Sequence, residues 1–542
     1  MRGQAAANDA GSLPAHTLEE PMRRVLAITT AGVLALTLAA CGSSSKGGGN
    51  GKSGGNSSGN YVDGKTFTFV LPSDPGSLDP QFTSLSVTYQ VDMFLYDSLI
   101  SLDPNNKEVA GLASKWSGTP TSATYTLHKG VTCSDGTPLT ATDIANNINF
   151  VGNPANKSSR IGVFVPPGAT AKGDDTTGTV TVTSKSPDPF LVRDVGGLQI
   201  VCPKGMQNRN LLKQGADGTG PYTVTQAVAN DHYTLTLRKG YTWGPGGSTA
   251  NAKGLPAQVV LKVVSNETTA ANLLLSGAVN AAQIVGPDRQ RLTAQQVFHR
   301  DFYSTFGELW YNEKPGQATA NEAVRRALTQ ALDLSQLRKV LTSGTGSAPT
   351  GLIPSDLNPC GGNTVSGNLP TTDVAAAKSA LAGKVSAMTF FYPSSYGATM
   401  ESTAELLQQA WSAVGVKVTL KGVTDAQINQ EVVGGQGSWN AALIPFGVPE
   451  PSQIVPFVSG PTAPNGTNFA DIQNPTYTQH VQKASAQAGT AGCPDWQAAE
   501  EALFQRVDVV PFANTATPVF GKGATFELMQ GAVIPTSVRM LG

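Results

Sequence analysis

Residue types that could carry out chemistry are few and scattered along this chain. There are five histidines, and His128 and His232 fall in alternating stretches, where a solvated or half-buried strand position is more common than a catalytic one. The sequence contains no GxSxG nucleophile elbow, phosphate-binding loop, dinucleotide fingerprint or HExxH zinc motif. Asp174 and Asp175 indicate a turn, because their carboxylates do not alternate as in a calcium loop. These residues predict no catalytic centre, no cofactor and no metal site.

One cysteine lies at the end of an export signal. Met22-Arg23-Arg24 is a short basic segment, and the apolar stretch from Val25 to Ala40 that follows is too short and wrongly flanked for a membrane span. The stretch ends in Leu38-Ala39-Ala40-Cys41, which resembles a lipobox, in which the cysteine is lipidated and becomes the first residue. A plain signal peptide with a chance cysteine is the alternative.

The N-terminal segments follow from this signal. Residues 1–21 have no apolar run and are expected to be a non-native extension, and residues 22–40 form the predicted lipoprotein signal peptide. Residues 41–60 are rich in Gly, Ser and Asn, a composition typical of a flexible tether. Lipidation of Cys41 would hold an extracytoplasmic protein on the outer face of the cytoplasmic membrane, free to reorient.

Size and charge narrow the class of protein. A chain of 542 residues is too long for one core, so two or three domains are expected. The net charge is −1, only 14% of residues are charged, and no basic run occurs. We therefore expect no nucleic-acid partner, and we expect a monomer.

The stretch from Tyr125 to Val151 shows how the elements are built. Tyr125, Leu127 and Val131 indicate a short strand, and a turn follows that contains Asp, Gly and Pro. Thr140 and Asp143 have the spacing of a capping box, and Ile144 begins an apolar helical face. Strand, turn and capped helix are therefore predicted in that order.

Other stretches extend this mixed pattern. Residues 65–71 and 179–183 alternate as strands, and Val91 to Ile100 is a predicted helix. Ala404 to Val414 carries a helical apolar stripe that stops at Gly415 and leads into a strand. Helix, glycine stop and strand in that order indicate an α/β lobe.

Several motifs together resemble a known family. The stretch Asp135-Gly136-Thr137-Pro138-Leu139-Thr140 is similar to a segment of the family 5 extracytoplasmic solute-binding proteins of ABC importers, which include oligopeptide-, dipeptide- and nickel-binding proteins. Further matches stand in the expected order over residues 65–540: Ser77 to Pro80, Tyr96 to Leu99, Gly218 to Tyr222, and Trp310 to Asp333.

This resemblance implies a fold and a division into domains. The fold class is α/β, a periplasmic-binding-protein-like two-lobed fold with mixed sheets and the extra domain typical of the family. The implied divisions are 61–100, 216–305 and 516–542 for domain I, 101–215 for domain II, and 306–515 for domain III.

Four cysteines remain after Cys41, and an even count in an exported chain indicates disulfides. Four cysteines allow three pairings. We favour Cys133 with Cys202 and Cys360 with Cys493, because each pair then lies within one implied domain. Four buried thiols are the alternative; a zinc site is disfavoured because no CxxC spacing occurs.

The resemblance also implies ligand-contacting positions. These are Ser84, Ser86 and Tyr89 after the first motif, Trp310 and Asn312 where the hinge strand enters domain III, and Trp439, Phe446, Gly447 and Glu450 in the loop WNAALIPFGVPE. Core packing is the alternative for each aromatic residue.

The loop departs from the peptide binders of the family. They place an aspartate there for the peptide α-amine, whereas this chain has Gly447 at the aligned position. A buried ammonium without a counter-charge costs several kcal/mol. A free peptide is therefore disfavoured unless Glu450 substitutes, nickel is disfavoured because the loop has no histidine, and a neutral or moderately apolar cargo is slightly favoured.

The predicted function is that of a substrate-binding lipoprotein of an ABC importer, not of an enzyme. It would close two lobes over a peptide or other small solute and deliver it to a membrane permease. An exported lipid-anchored hydrolase is the alternative, and it requires an acid–base pair in the cleft. An envelope interaction protein would instead have a shallow cleft.

Overall fold

The computed structural model describes residues 60–83, 85–424, 427–462 and 465–542, without the side chains of Ser395 and Asn429. The extension, the signal peptide, Cys41 and all but the last residue of the tether lie outside the described residues, as does Ser84.

The helices and strands alternate along most of the described chain. The α-helices are α1 Ser86–Leu95, α2 Ala141–Gly152, α3 Leu191–Gly196, α4 Pro203–Gln207, α5 Glu267–Ser276, α6 Asp288–Ala294, α7 Glu322–Gln330, α8 Leu334–Leu341, α9 Val374–Leu381, α10 Ala398–Ala413, α11 Pro451–Val458, α12 Pro475–Ser485 and α13 Cys493–Gln505.

The strands are β1 Thr66–Leu71, β2 Ile100–Leu102, β3 Glu108–Ala110, β4 Ala113–Thr119, β5 Ser122–Leu127, β6 Thr170–Asp174, β7 Thr179–Thr183, β8 Tyr222–Val228, β9 His232–Leu237, β10 Gln258–Val263, β11 Ala281–Gln283, β12 Phe298–Tyr311, β13 Ala387–Pro393, β14 Lys417–Val423, β15 Ala441–Leu443, β16 Val509–Gly521, β17 Ala524–Thr525, β18 Leu528–Met529, β19 Ala532–Val533 and β20 Arg539–Met540.

One mixed sheet runs through both lobes. Its strand order is β14-β13-β15-β12-β16-β11-β1-β10-β9-β8. The central strands β12 and β16 pair antiparallel from Phe298 opposite Gly521 to Trp310 opposite Val509. We call the elements between β12 and β16 in the sequence the second lobe. The elements before β12 and after β16 form the first lobe. The chain crosses between the lobes on β12 and β16 themselves.

The register of the central pair shifts between Thr305 and Glu308. A Cβ at Gly307 would lie 2.7 Å from the Phe512 ring, so only glycine fits where the two strands approach. A bulge bends and twists a strand locally. The irregularity lies at the boundary of residues 305 and 306 that the sequence implied between domains I and III.

A four-stranded antiparallel sheet, in the order β4-β5-β7-β6, lies in the first lobe beside α2. The predicted capping box of α2 is confirmed: the Asp143 amide donates to Thr140 Oγ1 at 3.1 Å, and Asp143 Oδ2 accepts from the Thr140 amide at 3.0 Å. The strand predicted around Tyr125 is also confirmed, as β5.

The helix predicted from Val91 to Ile100 is misplaced by about one turn. The structure has α1 at Ser86–Leu95, and Tyr96 takes an extended backbone with φ of −130°. Ile100 begins β2 instead. The buried Tyr96 hydroxyl donates to the Leu78 carbonyl at 2.8 Å, so tertiary packing ends the helix where apolar periodicity continues.

Two disulfides are present. Cys133 joins Cys202 and Cys360 joins Cys493, each with an S–S distance of 2.04 Å. These are the two pairs favoured by the sequence analysis. The first bridge lies within the first lobe, and the second ties the start of α13 to the loop around residue 360 in the second lobe.

The second lobe is stabilised by a buried arginine on α7. Arg325 is fully buried; its guanidinium lies 2.8 Å from Asp508 Oδ1 and 3.0 Å from Glu313 Oε2. Asn474 donates to the other oxygen of Asp508 at 2.8 Å. Burial and the charge of Asp508 raise the pKa of Glu313 to about 9, so one of the two carboxyl groups holds a proton.

Removal of this arginine should destabilise the fold. We expect Arg325→Ala to lower the free energy of unfolding by about 3–5 kcal/mol, because it removes the closest cation from two buried carboxyl groups and leaves only Arg506, at 3.9–4.0 Å, facing them. Urea unfolding followed by tryptophan fluorescence measures the effect. The control is Arg326→Ala on the same helix, a partly exposed residue that pairs with Glu322 and donates to the Gln505 carbonyl, for which a loss of no more than about 1–2 kcal/mol is expected. Equal losses in the two variants would contradict this account.

Candidate functional site

A cavity of about 130 Å³ lies between the two lobes. Its walls come from α1 and the segment that follows, from α3 and its flanks, from the start of α11 and from the C-terminal segment. Its polar wall residues include Tyr89, Asp97, Arg193, Asp194, Gln199 and Glu450, and its apolar wall residues include Met93, Ile100, Phe164, Pro221, Ile534 and Pro535.

A second, open groove of about 640 Å³ lies beside this cavity. Arg193 contributes to both walls, and Glu108 and Asn106 line only the groove. Arg193 therefore lies where the cavity and the groove adjoin.

Two of the residues expected from the sequence lie in the cavity wall. Tyr89 is partly buried on α1, and Glu450 immediately precedes α11. Ser86 is the exposed first residue of α1 and is not among the wall residues.

Three of the other expected residues lie in the packed core of the second lobe. Trp310 is fully buried, and its indole Nε1 donates to the Ile444 carbonyl at 3.1 Å. Asn312 donates through Nδ2 to the carbonyl of Trp439 at 2.9 Å, and both residues are buried. For these aromatic residues the structure shows the core-packing alternative.

Phe446 and Gly447 lie near the cavity in sequence but not in its wall. The Phe446 ring packs 4.4 Å from the Phe457 ring, and its amide donates to Glu308 Oε2 at 2.7 Å. Gly447 is exposed, and a Cβ there would meet nothing within 4 Å. The loop reaches the cavity through Pro449 and Glu450.

Glu450 is the central charged group of the wall. It is only 2% exposed, and its Oε1 lies 3.0 Å from Arg193 Nε of the other lobe. No hydrogen-bond donor among the described residues reaches its Oε2. Burial raises the pKa of Glu450 to about 7, although Arg193 and a hydrogen bond with Asp194 act in the opposite direction.

Asp194 brings a second carboxyl group from the first lobe. Burial raises the pKa of Asp194 well above its ordinary value, and the negative charges of Glu450 and Asp188 add to this effect. The negative charge of Glu450 therefore disfavours ionisation of Asp194.

Some polar atoms elsewhere in the wall have hydrogen-bond partners within the protein and others have none among the described residues. Asp97 accepts hydrogen bonds from Tyr241, Thr219 and Trp243 at 2.9–3.2 Å, so its carboxylate is occupied by the protein. Gln199 Nε2 is buried and has no partner among the described residues. Two residues of the wall, Gln199 and Glu450, thus each carry a buried polar atom without a partner among the described residues.

The lobes also touch away from the cavity. The rings of Phe190 and Trp496 lie 6.4 Å apart, and the Gly489 amide donates to the Pro189 carbonyl at 2.7 Å. Trp496 lies in α13, the helix that the Cys360–Cys493 disulfide anchors at its first residue.

The sequence analysis missed Arg193, Asp194 and Gln199. A signal for the first two exists: an arginine and an aspartate interrupt the apolar run from Phe190 to Val195. Charges inside a short apolar stretch are buried only when they are paired. Gln199 carries no comparable signal.

The comparison with protein families identifies this arrangement. Residues 107–465 match the family described as bacterial extracellular solute-binding proteins, family 5, middle. The chain belongs to this family. Its members are extracytoplasmic binding proteins that take up peptides or small solutes and work with ABC permeases.

Individual relatives agree with this assignment. The glutathione-binding protein GsiB of Pectobacterium atrosepticum is 26% identical over 68% of this chain and 70% of its own length. Protein XP55 of Streptomyces lividans is 26% identical, over 53% of this chain and 52% of its own length.

Solved structures share the fold. A substrate-binding protein from Microbacterium hydrocarbonoxydans, complexed with 4-hydroxybenzoate hydrazide, matches with a TM-score of 0.65 and 25% identity over 88% of this chain and all of its own. HbpA2 from Haemophilus parasuis matches with a TM-score of 0.75 and 18% identity over 88% of this chain and all of its own.

The family 5 solute-binding protein therefore has the predicted two-lobed α/β fold, which is confirmed. Its relatives are binding proteins and not enzymes, as predicted. Across the described ranges, no helix combines the length and apolar character needed to cross a membrane. In the same ranges, no group of three or more His, Cys, Asp or Glu is placed to hold a metal ion.

The raised pKa of Glu450 predicts the direction in which the stability of the fold changes with pH. Between about pH 4.5 and about pH 7 the folded protein holds a proton at Glu450 that the unfolded chain has released. The contribution of Glu450 to stability is therefore present below this window and is lost as the pH rises through it.

We expect the unfolding midpoint of the native protein to fall, relative to that of Glu450→Gln, as the pH is raised across this window. Thermal unfolding at several pH values measures the difference. Glu401→Gln, which alters an exposed carboxylate of α10 away from the cavity, is the control and should follow the native protein. If the difference in unfolding midpoint between the native protein and Glu450→Gln did not change with pH, Glu450 would not take up a proton in this range.

Proposed function

We propose that this protein is the lipid-anchored receptor of an ABC importer, which captures a small organic solute in the cavity between its lobes and delivers it to a membrane permease. The observation that carries the proposal is the inter-lobe cavity itself. It combines apolar walls with a few unsatisfied polar atoms, the composition typical of a small-molecule site.

The size of the cavity limits what it encloses. An engineered cavity of about 150 Å³ in another protein holds one benzene molecule, and the cavity here is of similar volume, about 130 Å³. The enclosed part of the solute is therefore about the size of one ring. Any larger remainder extends past Arg193 into the open groove.

Lobe closure supplies the mechanism. The lobes are joined by β12 and β16, and the bulge at Gly307 is where these strands can bend. A solute shifts the equilibrium toward the closed form only if it binds that form more tightly. Both lobes contribute residues to the cavity wall. A solute can contact all of these residues at once only in the closed form, so it binds that form more tightly.

The cargo test uses protein purified from its native host. We expect mass spectrometry after denaturation to detect one retained solute or a related set. Adding it back to emptied protein should reduce the radius of gyration in small-angle X-ray scattering. Glu450→Gln should retain less solute, and Glu401→Gln, a change at an exposed acidic residue of α10, should retain the native amount.

An unchanged radius of gyration in the presence of retained solute would contradict closure. A covalently modified or cleaved solute, released as product, would instead favour the hydrolase alternative.

The anchor is tested separately. We expect Cys41→Ala to abolish incorporation of labelled fatty acid and to move the protein from the membrane to the soluble fraction, because one cysteine accepts the lipid. Ser43→Ala in the same segment is the control and should remain membrane-bound. Continued lipid labelling of Cys41→Ala would exclude this position as the anchor.

A further inference from the structure

Asn106 lies at the tip of the first-lobe hairpin that β2 and β3 form. Asp103 holds this turn: its carbonyl accepts from the Asn106 amide at 2.9 Å, and its Oδ1 accepts from the amides of Asn105 and Lys107 at 2.8 Å and 2.9 Å. Asn106 has a φ of 61°, a left-handed conformation that asparagine adopts more readily than most residues. The turn therefore fixes the backbone from which the Asn106 side chain extends.

The side-chain amide of Asn106 contacts both lobes. Its Oδ1 accepts a hydrogen bond from the Arg193 guanidinium at 3.0 Å, and its Nδ2 donates to the Leu357 carbonyl of the second lobe. A guanidinium only donates hydrogen bonds, and a backbone carbonyl only accepts them. A single orientation of the amide satisfies both partners, and an aspartate of the same shape lacks the donor that Leu357 requires.

These contacts belong to a chain of polar contacts that joins the lobes twice. Arg193 Nε lies 3.0 Å from Glu450 Oε1 of the second lobe. The chain thus runs from the Leu357 carbonyl through Asn106 and Arg193 to Glu450, with two first-lobe residues held between two second-lobe groups. The side chains of Arg193 and Glu450 are only 11% and 3% exposed, so water competes little for their contact.

The Leu357 carbonyl belongs to a segment that is tied to the body of the second lobe. The Leu357 amide donates to the Pro354 carbonyl at 2.9 Å. Three residues further on, Cys360 is bonded to Cys493, the first residue of α13, and its carbonyl accepts from Gln497 Nε2 of the same helix at 3.0 Å. A contact between Asn106 and Leu357 therefore holds α13 as well as the loop.

We propose that Asn106 is the latch of the closed form and that it positions Arg193 in the cavity wall. This inference rests on the proposed function and specifies what determines how long a captured solute is retained. The contact of Asn106 with Leu357 forms only after the lobes have met. The latch therefore slows the opening of the lobes and leaves their closing almost unchanged.

The latch is separate from the bonds that hold the hairpin together. The strands of the hairpin pair through their backbones, and the turn is held by Asp103. The Asn106 side chain instead contacts Arg193 and the second lobe. Its removal should therefore change the rate of opening without unfolding the hairpin.

A matched pair of glycine variants tests the latch. Asn106→Gly removes the side chain and keeps a residue that adopts positive φ without strain. Asn230→Gly is the control, because Asn230 also has a φ of 61° and is an exposed residue in the turn between β8 and β9 of the first lobe. Asn106→Asp keeps the acceptor and removes the donor to Leu357.

Single-molecule fluorescence energy transfer in the full-length protein measures the rates of opening and closing. One dye is attached through an unnatural residue at the exposed position of Lys172 in the first lobe, and the other at that of Ser379 in the second lobe. No ligand is added: the protein is measured as purified from its native host and again after it has been emptied.

We expect Asn106→Gly to shorten the lifetime of the closed form by about three- to tenfold, as the loss of one or two hydrogen bonds between the lobes requires. The closing rate should change by less than about twofold. Asn106→Asp should also shorten the lifetime, and Asn230→Gly should keep the native value. Retained solute, followed by mass spectrometry after dilution, should leave Asn106→Gly faster by the same factor.

Two further measurements separate a latch from a merely structural residue. The unfolding midpoints of Asn106→Gly and Asn230→Gly should agree within about 2 °C. Combining Asn106→Gly with Arg193→Ala should shorten the closed lifetime by less than the product of the separate effects, because both residues belong to one chain of contacts. Effects that simply multiply would overturn the positioning role of Asn106.

An unchanged closed lifetime in Asn106→Gly, or an equal reduction in Asn230→Gly, would overturn the latch. If the native protein closes and retains a solute and Asn106→Gly does both for as long, the latch alone is refuted and the receptor function is intact. A native protein that neither closes nor retains a solute would refute the proposed function itself.

Discussion

The hydrogen-bonded ladder between β12 and β16 is the constraint on which the rest of the structure depends. It joins the strands of the second lobe to those of the first in one continuous sheet. Each lobe carries one side of the cavity, so the ladder fixes how close Arg193 and Glu450 can come. Gly307, where a larger residue would collide with Phe512, places the irregularity of the ladder between the two lobes.

Two clusters in this molecule combine arginine with acidic residues and have different surroundings. Arg325 pairs with Glu313 and Asp508, and Arg506 lies 3.9–4.0 Å from the same two carboxyl groups. Arg193 pairs with Glu450 at 3.0 Å, and the neighbouring Asp194 lines the same cavity.

The cluster around Arg325 is enclosed in the core and joins α7 to the start of β16, and its neighbour Asn474 completes the hydrogen bonds of Asp508. The cluster around Arg193 lines a cavity and joins the two lobes. Similar residue types are therefore part of the packed core in one place and face a cavity in the other. The two clusters differ in whether they border a cavity, and the residue types alone do not show this.

Local signals in the sequence predicted local structure well. The capping box of Thr140 and Asp143 and the strand at Tyr125 depend on neighbouring residues, and both are confirmed. Helix α1 was misplaced because the end of a helix at Tyr96 depends on a distant carbonyl. The overall fold was predicted from several short motifs that occur in the same order as in a known family. That prediction rested on the family resemblance and not on a physical derivation.

The candidate site was less predictable for a physical reason. Trp310 and Trp439 are aromatic residues near a loop, and the same residue type suits a ligand wall or a core. Glu450 was identified only as a substitute for a missing aspartate. Its partners Arg193 and Asp194 are more than 250 positions away in the chain, and only the tertiary structure brings them together.

The strand pairing of the first lobe affects the order in which the two lobes can fold. Its sheet joins β1 and β10 to β11, and β11 pairs with the end of β16, where Ala281 lies opposite Gly521. The Val62 amide donates to the Met540 carbonyl at 3.0 Å, so the earliest and latest described segments meet. Such long-range pairing delays folding. The first lobe cannot finish assembling until its last strands are available, whereas the second lobe, contained within one continuous stretch between β12 and β16, can collapse earlier.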